Sequence, residues 1–134
     1  MPRISHVLET CIYGRNLDAM ERFYTSILGL TKMSAEPPRH VFFRLSTTSV
    51  LLVFNPDETC GEQDVPSHGA NGPGHVAFAI DDDDIDAWRD TLEARDVEIE
   101  REIDWPNGAH SLYFRDPAGN SVELVTRELW NNDD

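Results

Sequence analysis

The sequence predicts an α+β protein of two βαβββ modules, whose strands form a cupped mixed sheet around a cleft. Two observations carry this. Short apolar runs and two stretches of helical periodicity follow one another as strand, helix, strand, strand, strand, and the order occurs twice. The letters also repeat: Leu17-Asp18-Ala19-Met20 is answered by Ile85-Asp86-Ala87-Trp88, and Phe43-Arg44 by Phe114-Arg115. A single βαβββ unit covers only one face of its sheet and needs a partner, which the second unit can supply.

Each element has a local reason. Residues 6–13 are β-branched and apolar enough for a strand that ends at Gly14. Asn16 offers an N-cap, and Leu17, Met20, Phe23, Tyr24, Ile27 and Leu28 recur at helical spacing, which predicts a helix over 16–28 stopped by Gly29. A strand over 30–35 is broken by Pro37-Pro38, and strands over 40–45 and 50–54 flank the polar turn 46–49. Residues 57–73 carry little apolar content and read as a linker. The second module opens with a strand over 74–80. The acidic run 81–84 reads as an N-cap and dipole feature of a helix over 84–94 that turns Ile85, Trp88 and Leu92 inward. Strands are expected over 97–103, 111–115 and 121–125, the last two joined by Asp116-Pro117-Ala118-Gly119-Asn120. The modules therefore run from about 4 to 56 and from about 74 to 127 within one domain of 134 residues.

Composition narrows the function classes. Acidic residues number 25 and basic residues 11, a net charge of −14, which argues against nucleic acid or an anionic membrane as partner. Lys32 is the only lysine. Cys11 and Cys60 are too few for a disulfide scaffold, no apolar run approaches a membrane span, and the N-terminus lacks a signal pattern. These features point to a soluble, reducing, cytoplasmic setting. No nucleophilic Ser or Cys arrangement and no Gly-rich phosphate loop stands out.

Three segments together resemble the vicinal oxygen chelate superfamily, the fold of glyoxalase I, extradiol dioxygenases, fosfomycin-resistance proteins and bleomycin-binding proteins. They are residues 16–24 with Ile27-Leu28-Gly29-Leu30, then Gly74-His75-Val76-Ala77-Phe78, then residues 113–124 around Asp116-Pro117-Ala118-Gly119-Asn120. The resemblance implies a divalent metal ion in the cleft, held by residues on the first and last strands of each module. It places His75 at the opening position of the second module and Glu123 at its closing position. A carboxylate among Val122, Leu124 and Val125 wants a metal, an arginine or a hydrogen bond, because burying it unpaired is costly.

For the first strand the resemblance leaves two candidates. His6-Val7 echoes His75-Val76, whereas counting back from the helix aromatics Phe23 and Tyr24 lands on Glu9. Residues three apart point to opposite faces of a regular strand, so only one of them can face the cleft, and the helix register favours Glu9. At the fourth position, Leu51 or Leu52 stands where the glyoxalase I pattern expects an acid, which weighs against glyoxalase chemistry. The implied ligand set is Glu9, His75 and Glu123, a site for Fe, Mn, Zn, Ni or Mg that tilts toward the harder ions.

Around that set, Glu123, Tyr113 and Arg44 are the candidate catalytic side chains, with Arg44 suited to an anionic substrate. His110 could supply an acid near the metal or be a solvated loop residue. Trp105 and Trp130 could cover the cleft or a dimer surface, and Cys11 shares the face of Glu9. The expected function is a metal-dependent enzyme of lyase, isomerase or dioxygenase type acting on a small oxygen-bearing molecule. The alternative is a metal-free protein that sequesters a drug-like ligand. A twofold homodimer is expected in either case.

Overall fold

The computed structural model describes residues 1–61 and 65–130. Residues 62–64 of the expected linker, and 131–134, lie outside the described residues. The chain divides into two compact units, Met1–Gly72 and Pro73–Asp134, and the division falls inside the segment read as a linker. Each unit carries one four-stranded mixed sheet with the connectivity expected for βαβββ.

In the first unit the order across the sheet is β1 (Glu9–Tyr13), β4 (Val50–Phe54), β3 (His40–Arg44), β2 (Thr31–Glu36), with β1 parallel to β4 and the other pairs antiparallel. Helix α1 (Leu17–Arg22) starts where its cap was expected, the Asn16 side chain accepting from the Ala19 N–H at 3.1 Å. The helix does not stay regular to residue 28. Phe23–Ile27 form a wider π-type turn, and the Thr25 hydroxyl donates to the Glu21 carbonyl at 2.7 Å, competing with the helical ladder. Met20, Phe23 and Tyr24 are buried, and Tyr24 packs on Phe43 with ring centroids 5.6 Å apart. Period-2 alternation sends Val41, Phe43, Leu51 and Val53 to this helix-covered side. It turns Glu9, Cys11, Tyr13, Val50, Leu52, Phe54, His40, Phe42 and Arg44 to the other face.

Two expectations about this unit are corrected. The first strand begins at Glu9, so His6 precedes it: His6 is exposed and its Nδ1 lies 2.7 Å from the Ser5 hydroxyl. The linker also opens with a short helix, α2 (Pro56–Thr59), because the Asn55 side chain accepts from the Asp57 N–H and Pro56 suits the first turn.

In the second unit the order is β5 (His75–Ile80), β8 (Ser121–Thr126), β7 (His110–Arg115), β6 (Arg101–Asp104), with β5 parallel to β8. Helix α3 (Ile85–Ala94) buries Leu92 completely. The acidic run forms a short 3-10 turn, Asp82–Asp84, with no side-chain cap; Asp81 instead pairs with Arg127 at 3.1 Å. The strand expected over 97–103 is shorter. Asp96 takes a left-handed conformation (φ 57°) and the Val97 N–H bonds to the Leu92 carbonyl at 2.9 Å, so the helix exit holds this residue; the first bond to β7 comes from the Glu100 N–H, and the strand proper starts at Arg101.

Helix α3 is tied to the sheet edge by Arg89, whose guanidinium contacts Glu102 at 2.7 Å and Asp86 at 2.7 Å. The bond to Arg89 holds the Glu102 carboxyl below its ordinary value. A depressed carboxyl stabilises the fold above its unfolded value and loses that contribution as pH falls through the folded one. Stability of wild type and Glu102→Gln, compared by urea unfolding, should therefore differ at neutral pH and converge at acidic pH. A gap that persists in acid would assign the loss to packing.

Candidate metal centre on the second sheet

The register of β5, β8 and β7 decides which side chains meet. His75 lies opposite Ser121, and Ala77 opposite Glu123; Tyr113 lies opposite Glu123 on the other side, and Arg115 opposite Ser121. Opposed residues share a face, so His75, Glu123, Tyr113 and Ser111 look away from the face of Val76, Phe78, Leu112, Phe114, Val122 and Leu124. Glu123 is thus a carboxylate flanked in sequence by apolar residues yet turned to the opposite side from them.

The Glu123 side chain is 6% exposed and that of His75 51% exposed, so the carboxylate is fixed and the imidazole is accessible. One carboxylate oxygen, Oε2, accepts from the Ser111 hydroxyl at 2.6 Å, and that hydroxyl accepts from the Trp105 indole N–H at 2.9 Å. An indole nitrogen can only donate, so the direction of this relay is fixed: Trp105 to Ser111 to Glu123. The Tyr113 phenol is held above its ordinary value by burial and then by the neighbouring Glu123 carboxylate. The other oxygen, Oε1, faces His75 Nε2 at 3.3 Å.

The second ring nitrogen of His75 settles what this approach needs. Nδ1 lies 3.0 Å from the Ser121 carbonyl oxygen, which can only accept, so Nδ1 donates. In a neutral imidazole Nε2 then carries a lone pair aimed at the carboxylate. Two acceptors at 3.3 Å require a proton or a cation between them. The donor set of one imidazole and one carboxylate, with the histidine oriented by a backbone carbonyl, fits a divalent ion.

The remaining candidates fall as follows. Glu9 stands opposite Val50, and Val50 opposite Arg44, on the open face of the first sheet. That row is the counterpart of His75, Ser121 and Arg115 in the second unit. Two residues further along, Leu52 matches Glu123, so the first sheet offers no carboxylate there. Glu9 and Arg44 are exposed, and the Cys11 thiol is pushed up by burial and then by Glu9. Among the described residues no three His, Cys, Asp or Glu side chains come together as a metal-ligand group. His110 is neither a loop residue nor close to Glu123 in orientation: it belongs to β7 and turns the other way, to Asp104 and Glu102. Trp105 is engaged by Ser111, and Trp130 is exposed. Ser111 was missed by sequence reasoning; the turn at 116–120, which sets the hairpin register, is the signal that could have found it.

A crystal structure of lactoylglutathione lyase from Agrobacterium tumefaciens is 38% identical to this chain, covers 98% of it and 100% of that chain, and superposes with a TM-score of 0.92. The metallothiol transferase FosB of Staphylococcus epidermidis is 28% identical over 131 residues, 94% of this chain and 84% of that one. The fosfomycin resistance protein FosX from Mesorhizobium loti shares the fold, with a TM-score of 0.66 at 24% identity over 95% of this chain and 96% of that one. The family model described as the glyoxalase/bleomycin resistance protein/dioxygenase superfamily matches residues 3–124, and the chain belongs to that superfamily.

Proposed function

We propose that this protein is a cytoplasmic, homodimeric, divalent-metal-dependent enzyme of lyase, isomerase or dioxygenase type that acts on a small oxygen-bearing molecule. His75 and Glu123 are two of its metal ligands and Glu9 the third. The observation that carries the reading is the approach of His75 Nε2 to Glu123 Oε1 at 3.3 Å while Nδ1 is committed to Ser121. A bound ion would supply a Lewis acid for substrate oxygens. The chain's own residues do the rest. Ser111 and Trp105 keep one Glu123 oxygen occupied, so the other is presented alone. Tyr113 keeps its phenolic proton at neutral pH and can donate it to an oxygen on the substrate. Arg44, exposed on the row of Glu9, can orient an anionic group.

The likeness to lactoylglutathione lyase supports the lyase type. The apolar Leu52 at the row matching Glu123 weighs against a second glutamate acting as proton shuttle. One observation favours the rival, a metal-free binding protein: among the described residues no three-donor group is assembled. Metal analysis of protein purified without chelator separates the two. About one divalent ion per chain is expected, lost in His75→Ala. A metal-free protein whose melting temperature ignores added Mn, Fe, Zn, Ni and Mg would transfer the site to ligand sequestration. Light scattering at micromolar concentration should give the mass of a dimer.

A further inference from the structure

We propose that Asn71-Gly72 is a site of spontaneous covalent modification, where the asparagine loses ammonia and leaves an acidic residue beside Arg15. The chemistry starts from the dipeptide. The Gly72 backbone nitrogen attacks the Asn71 side-chain carbonyl carbon. An N–C bond forms, that nitrogen gives its proton to solvent, and the bond to Nδ2 breaks as ammonia leaves. Water then opens the cyclic imide at one of its two carbonyls, giving aspartate or isoaspartate. Glycine favours the ring because no Cβ obstructs the attack and its backbone turns freely.

Asn-Gly occurs twice in the chain, at 71–72 and at 107–108, and the two copies stand in different surroundings. Both asparagines are exposed, and both glycines take positive φ, 93° and 90°. Asn107 is held at both side-chain heteroatoms. Its Oδ1 accepts from the Ala109 N–H at 3.1 Å, and its Nδ2 donates to the Glu128 and Leu129 carbonyls at 2.9 and 3.0 Å. The Gly108 N–H, the nucleophile in that copy, donates to the Trp105 carbonyl at 3.0 Å. Cyclisation there has to break these bonds first.

Asn71 and Gly72 lie in a bend outside any strand or helix, and a Cβ placed on Gly72 would meet nothing. Among the described residues the Gly72 N–H donates to no backbone carbonyl. The contact that Asn71 does make comes from Arg15, whose Nη2 donates to Oδ1 at 3.4 Å. This contact assists the reaction: a guanidinium on Oδ1 stabilises the negative charge that gathers on that oxygen as the nitrogen adds. Arg15 also receives the product. It already pairs with Asp57 at 3.0 Å, so an acid at 71 sets it between two carboxylates and ties the segment ahead of β5 to the turn after β1.

Peptide mapping by mass spectrometry, on protein aged in warm, mildly alkaline buffer, tests this with Asn107 as the internal control. In the folded chain the Asn71 peptide should exchange amide for acid at least about tenfold faster than the Asn107 peptide, the factor that hydrogen bonds of ordinary net worth impose. In urea the two rates should draw together, since only the sequence then remains. Anion exchange of the intact protein should resolve a second, more acidic species that Asn71→Gln lacks. Arg15 is exposed, so Arg15→Gln should keep the fold. It should slow the reaction at Asn71 in the folded chain and leave the rate in urea unchanged. Matching folded-state rates at Asn71 and Asn107 overturn the proposal, as does an Asn71 that converts only in urea. A folded-state rate at Asn71 indifferent to Arg15→Gln overturns the part given to Arg15.

Discussion

Glu123→Gln is expected to weaken divalent-metal binding by about a hundredfold or more with the fold intact. The amide keeps the shape of the side chain, and its oxygen can still accept from the Ser111 hydroxyl. Its NH2 group then takes the place of Oε1 and donates to His75 Nε2, quenching the lone pair that an ion would need. His75→Ala should have a similar effect. His6→Ala should leave affinity unchanged, because His6 is exposed ahead of β1, whereas Glu9→Ala should weaken it. Isothermal titration of Mn or Zn into the four variants reads this directly. Loss of affinity in His6→Ala with retention in Glu9→Ala would show that the first-strand ligand is the histidine.

The second large effect lies in the turn that sets the hairpin register. Asp116 is buried, with Oδ1 accepting from the N–H groups of Ala118 and Asn120 at 3.0 and 2.9 Å and Oδ2 from the Asn120 side-chain amide at 2.9 Å. Asn120 in turn accepts from the Gly74 N–H at 2.7 Å through Oδ1, immediately before His75. Asp116→Ala strips the acceptor from three donors and should cost about 2–4 kcal/mol in urea unfolding. Asp116→Asn, which keeps one acceptor oxygen, should lose less. Because Asn120 links this turn to the start of β5, metal affinity should fall along with stability. Equal losses in the two variants would mean that neither the buried volume nor the one oxygen kept by asparagine matters, and that the second carboxylate oxygen, the acceptor both variants lack, carries the effect.

What the letters revealed depended on whether local chemistry decided the outcome. Val50–Phe54 is a continuous apolar run and is a strand with those bounds. Asn16 caps α1 because its side-chain oxygen reaches the free N–H of Ala19 three residues on. The hairpin around 116–120 was legible because Asp, Gly and Asn there satisfy the turn's own backbone, with Gly119 at φ 84°. Elsewhere a single bond overrode the periodicity: Thr25 onto Glu21 widens the helix end, and Val97 onto Leu92 delays β6. At the site, His75 and Glu123 were visible as residues. The Ser111 and Trp105 relay was not, since it exists only once β7 and β8 are in register. His110 was misjudged for the same reason, one step of alternation placing it on the face of Glu102.

The outer strands of the two sheets carry a further consequence, for behaviour at high concentration. β2 and β6 are each an end strand, with an unshared row of backbone donors and acceptors that a neighbouring molecule could zip onto. β2 is exposed along its whole length, bears the sole lysine, and slips register between Lys32 and Ser34, which kinks the edge. Most of β6 is charged: Arg101, Glu102 and Asp104. These two edges therefore discourage strand-by-strand growth into fibrils, and Lys32→Val is the change that would weaken that protection at β2.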